Sequence, residues 1–152
     1  MTLLRKFVAR SWADKVLLVR AFWLVSGVRL GLWALPFRTV QRLVDHPVAL
    51  PVVSPGEGAL RTEYAYQRRV VGAVEAIGRR LLGDKPCLVQ ALVAQRLMRQ
   101  GGYDSALRIG VAKDGRELLA HAWLERGGRV IIGGGTSPVR YKPLDPVASQ
   151  AA

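Results

Sequence analysis

The chain has 152 residues, with 23 Lys+Arg against 11 Asp+Glu for a formal net charge of +12, and half of its residues are hydrophobic. That balance excludes a charge-driven disordered chain and leaves enough apolar material for a real core. The single cysteine, Cys87, excludes a disulfide framework and any thiolate-rich zinc site, and only His46 and His121 are left for a histidine site. No glycine-rich phosphate cradle occurs, so neither cofactor nor metal is expected. The basic residues are mostly arginines scattered singly or in pairs, and aromatics are only 7%. A nucleic-acid surface is therefore not expected, whereas an acidic peptide or a protein partner fits.

In chain order, Leu3–Gly27 reads as a first helix and Pro36–Val44 as a second, opened by a proline at a tolerated position. Arg20 and Arg29 interrupt the apolar stretch from Lys15 to Phe37, so no integral membrane segment is expected. At about 100° per residue these two arginines lie on opposite sides of a helix. Such a helix has no single polar stripe and needs a partner: the rest of the domain, another protein, or the membrane interface. Pro47, Pro51 and Pro55 make Asp45–Gly58 a linker or strap. It divides the chain into an N-terminal helical region, 1–58, and a core, 59–152. Arg61–Leu82 carries Val70, Val74, Ile77 and Leu81 at helical spacing and stops at Gly83. Cys87–Gln100 is the next helix, closed by Gly101-Gly102. The period then changes to two. Ser105–Lys113, Glu117–Glu125 and Arg129–Ile132 read as strands, turned at Asp114-Gly115 and Gly127-Gly128. The fold class is α+β, an antiparallel meander following a helix.

Two side chains carry the chemistry. Cys87 sits at a helix N-terminus, where free N–H groups and the helix dipole favour a thiolate and hold an oxyanion. His121 lies mid-strand between Ala120 and Ala122. If the meander packs on the helix, thiol and imidazole meet as nucleophile and base. A third group should orient the ring. A two-residue turn at Gly127-Gly128 sets His121 opposite Gly134, where no acid stands. Glu125 shares the His121 face but lies about 13 Å along the strand. Asp104, Asp145, the Gln90 amide and a backbone carbonyl remain open, with Asp145 favoured. Gln90 and Trp123 are the expected substrate contacts.

The segments CLVQALVAQRLMRQGG, LRIGVAKDG and AHAWLERGGRVIIGGG resemble the transglutaminase-like cysteine peptidases of lasso-peptide biosynthesis, over roughly residues 60–145. The resemblance implies a papain/transglutaminase-like core, with the Cys-bearing helix on a small antiparallel sheet. It implies Cys87 as nucleophile and His121 as base. The family pattern often carries an Asp on the strand after the histidine, where this chain has Gly133 to Gly135. The implied activity is that of a cytoplasmic hydrolase in the maturation of a ribosomally made natural product: a cysteine endopeptidase that removes the leader of a lasso-peptide precursor. The implied partners are the precursor leader peptide, a separate recognition-element protein and an ATP-dependent lasso cyclase. The apolar N-terminal helices would dock the recognition protein. The alternative is a non-catalytic adaptor that holds the precursor against the cyclase.

Overall fold

The computed structural model describes residues 11–44, 57–83, 87–114, 116–133 and 141–143. The first described helix, α1, covers Trp12–Ala34. It does not end at Gly27, as the sequence suggested. Ser11 sets its start: the hydroxyl accepts the Asp14 N–H at 3.3 Å and donates to the Asp14 carboxylate at 2.8 Å, a variant of the capping box. Its end is set by Pro36, which holds Leu35 extended with φ −128° and ψ 152°. Helix α2, Phe37–Val44, follows at once. Residues 45–56, most of the expected linker, lie outside the described residues. Helix α3 covers Glu57–Leu81 and starts earlier than Arg61. Helix α4 covers Cys87–Gln100.

The close of α4 is a Schellman motif. Tyr103 N–H bonds the Met98 carbonyl, Gly102 N–H bonds that of Arg99, and Gly102 has φ +85°. The chain then enters β1, Ala106–Asp114, and continues through β2, Glu117–Arg126, and β3, Arg129–Ile132. A two-residue strand β4, Lys142–Pro143, adds to the far edge of β1, which the meander read from the sequence did not contain. The sheet order is β3-β2-β1-β4, antiparallel wherever strands pair.

Directly paired residues share a face of a sheet. The β1–β2 register pairs Leu107 with Leu124 and Ile109 with Ala122 on one face. It pairs Arg108 with Trp123 and Gly110 with His121 on the other. The first face meets the helices. Leu124 and Ile132 join Leu92, Val93 and Leu97 of α4, Val70 and Val74 of α3, and Leu17, Ala21 and Val25 of α1 in one buried cluster. That cluster draws side chains from both sides of residue 58. Ala112, Trp123 and Tyr141 form a second, separate cluster on the other face.

Candidate active site

Cys87 is the first residue of α4 and half-buried. Helix N-termini leave backbone N–H groups without helical partners, so a group bound beside this thiol meets donors already in place. Three residues on, Gln90 turns toward α3. A methyl group on Gly78 would lie 2.2 Å from Gln90 Nε2, so the amide occupies the space that this glycine leaves open.

His121 lies in the middle of β2, on the face opposite Leu124. Its Nε2 lies 2.6 Å from the Gly133 carbonyl oxygen. A carbonyl only accepts, so Nε2 carries the proton and donates it there. In the neutral ring this leaves Nδ1 with a free lone pair, the form a general base requires. The imidazole also sits between two aromatic rings. Trp123 stacks at 6.1 Å between centroids with planes 19° apart, and Tyr141 lies at 5.0 Å, tilted 32°.

The ring is thus oriented by a backbone carbonyl, one of the alternatives open in the sequence. The position that carbonyl takes was not foreseen. A β-bulge shifts the β2–β3 register between Leu124 and Glu125, so Leu124 faces Ile132 while Glu125 faces Val130. The simple hairpin register that set His121 opposite Gly134 therefore does not hold. Gly133, at φ +86°, turns the chain where a Cβ would come within 2.8 Å of the Ala122 carbonyl oxygen.

Trp123 is 2% exposed and forms the floor beneath His121 rather than an open substrate wall. Its indole N–H donates to Glu125 at 2.7 Å, and Arg108 Nε bonds the same carboxylate at 3.2 Å. Glu125 therefore holds the indole in place. Asp104 instead stands at the start of β1, where its carboxylate accepts the Ser105 N–H at 3.0 Å. Asp145 lies outside the described residues. Pro143, two positions before it, pairs with Gly110, the same residue that pairs with His121. Nothing in the residue pattern pointed to Tyr141 as a neighbour of the imidazole.

The meander packs on the cysteine helix, as the sequence reading required, but it presents the Leu124 face to that helix. Among the described residues no hydrogen bond joins the Cys87 thiol to the His121 ring, whose bond goes to Gly133. A cavity of about 510 Å³ lies near the start of β1, against Gln95, Ser105, Leu107, Arg108 and Glu125.

Comparison with curated proteins and with solved structures returns no significant match. A family profile does match: that of the transglutaminase-like superfamily, over residues 31–145. The match spans the cysteine helix, the histidine strand and the segment that carries Asp145. By this match, which covers more than half of its length, the chain belongs to the transglutaminase-like superfamily, a group that includes cysteine peptidases.

Proposed function

We propose that this protein is a cytoplasmic cysteine endopeptidase that removes the leader from a ribosomally made lasso-peptide precursor. Superfamily membership, with a cysteine at the first residue of a helix, carries the reading. The tautomer of His121 supports it, because the nitrogen left free is the one able to take a proton.

The chemistry runs through an acyl-enzyme. The Cys87 sulfur adds to the scissile carbonyl while Nδ1 of His121 takes the thiol proton. The oxyanion is held by N–H groups at the start of α4. The same nitrogen returns its proton to the departing amine, and water, deprotonated in turn, releases the leader. This requires ring and thiol to come together around the peptide. His121 stands on the face of β2 opposite the one that packs on α4, so the imidazole must reach the thiol past the edge of the sheet, a larger change than the tightening of a long hydrogen bond. The precursor, a separate recognition protein and an ATP-dependent cyclase are the proposed partners, and Asp145 is proposed as a further group acting on His121 in addition to the Gly133 carbonyl.

The test is cleavage of precursor in the presence of the recognition protein, read by mass spectrometry. Cys87→Ala abolishes the trimmed product, and His121→Ala lowers its rate by a factor on the order of 10² to 10⁴. Full cleavage by Cys87→Ala overturns the peptidase reading in favour of the adaptor. Full cleavage by His121→Ala removes the histidine from the mechanism.

A further inference from the structure

Helix α1 has two apolar faces. Leu17, Leu18, Ala21, Val25 and Val28 are buried in the core. On the opposite side Trp12, Val16, Val19, Trp23 and Leu30 fall within about 60° of arc, at about 100° per residue. Trp33 extends this stripe at the C-terminal end. The three tryptophans are 80%, 69% and 88% exposed, and Trp123 is the fourth and last of the protein. By length and composition alone α1 could cross a membrane, yet its inner face is fixed to α3 and α4. It is therefore held as a helix lying on the surface of a folded body.

The charges settle what covers the outer face. Arg20 and Arg29, both exposed, border the stripe on its two sides, and Arg29 also donates to the Leu81 carbonyl at the end of α3. These are the residues that looked like interruptions in the sequence. Beside Arg20 a groove of about 510 Å³, lined by Val19, Trp23, Leu24 and Gln100, opens along the stripe. The whole chain carries +12. A protein face would give some of these tryptophans a complementary surface without needing net charge. An anionic bilayer surface matches these features: aliphatic side chains enter the acyl boundary, indoles sit at headgroup level, and the Arg20 guanidinium, with the Arg29 donors that Leu81 does not take, meets lipid phosphates.

From this we infer that α1 docks the protein, in the plane of the interface, on an anionic lipid surface. The site is peripheral and independent of the proposed peptidase reading.

The test is flotation of the full chain with vesicles of phosphatidylglycerol and phosphatidylcholine, against phosphatidylcholine alone. The chain floats with the anionic vesicles, its tryptophan emission shifts to the blue, and added salt weakens the binding. The triple variant Trp12→Ser, Trp23→Ser, Trp33→Ser keeps its circular dichroism and loses at least about tenfold in vesicle affinity. Should the triple variant not fold, Trp33→Glu, at the most exposed of the three, serves in its place. Failure to float, equal flotation with neutral vesicles, or unchanged binding by the folded variant overturns the proposal. So does a soluble dimer that the variant dissociates, which assigns the stripe to a second copy. Loss of cleavage in Cys87→Ala leaves all of these outcomes unchanged.

Discussion

One face of the sheet is continuous with the helical core, and the other is a site in its own right. On the helix side, Leu124 is fully buried and Ile132 nearly so, among aliphatic residues from four helices. On the far side the buried residues are Ala112, Trp123 and Tyr141. The aromatic pair there holds an imidazole, and a carboxylate fixes the indole. The first face needs only volume and apolarity. The second needs direction: an N–H aimed at Glu125, a ring N–H aimed at Gly133, and planes nearly parallel. Replacing a residue on the first should move stability alone, and replacing one on the second should move the chemistry too.

Trp123→Ala is the largest break in that contrast. Loss of a buried aromatic costs about 3–5 kcal/mol. It also removes the floor under His121, so cleavage per folded molecule falls. Leu124→Ala, directly next to it, costs about 2–5 kcal/mol and leaves cleavage per folded molecule unchanged. Urea unfolding gives the first quantity, and turnover normalised to folded protein gives the second. An equal loss of turnover in both variants would erase the difference between the faces.

The helices and strands were readable where local chemistry was periodic and punctuated. The apolar spacing after Pro86 placed α4, and Gly101-Gly102 supplied the left-handed residue of its Schellman close. Alternation placed β1 and β2, and Gly127 and Gly128, at φ +55° and +74°, marked the turn from β2 to β3. The misses have physical reasons. The end of α1 was read at Gly27 because glycine disfavours a helix interior, but the helix carries it and runs to Ala34, where Pro36 stops it. The bulge falls opposite Arg129–Ile132, where three aliphatic residues in a row carry no alternation to reveal a slipped register. β4 is two residues long and contains a proline, so it has no period at all. Cys87 and His121 were readable as chemical types at their positions in the fold. Which face of β2 meets α4 was not, because Ala122 and Leu124 on one side and Trp123 on the other are all apolar and buried.

A smaller change sharpens the same contrast. Gly110 pairs with His121, and an added Cβ would lie 2.8 Å from Trp123 Cη2 and Cζ3 and 3.0 Å from Tyr141 Cβ. The indole ring and the Tyr141 Cβ close in on the bare α-carbon, so Gly110→Ala must push these two side chains away, at about 1–3 kcal/mol. Turnover should fall with it. Gly72 in α3 is the control: nothing lies within 4 Å of its Cβ position, so Gly72→Ala gains up to about 1 kcal/mol from helix propensity and leaves turnover alone. Urea midpoints and normalised turnover of the two variants decide it.

The smallest effect belongs to the helix side, which has one directional group of its own. Tyr66 of α3 donates its hydroxyl to the Leu97 carbonyl at 2.8 Å, and its ring lies over Gly101, where a Cβ would come within 2.3 Å of it. Burial holds the phenol above the usual tyrosine value of 10.0, outweighing the opposite pull of Arg20 and Arg69. The sign follows from which state loses its proton first. Below the unfolded value both states keep the hydroxyl, and its contribution is complete. As pH rises past that value the unfolded chain ionises while the folded one holds its proton, so stability falls until the folded group also titrates. Tyr66→Phe loses about 0.5–1.5 kcal/mol at neutral pH, because Leu97 keeps a second donor in the Gly101 N–H. The variant should then decline less between pH 9 and 11 than the parent, so the gap between their urea midpoints narrows with alkalinity. A gap that stays constant over that range would mean that the hydroxyl contributes only by packing.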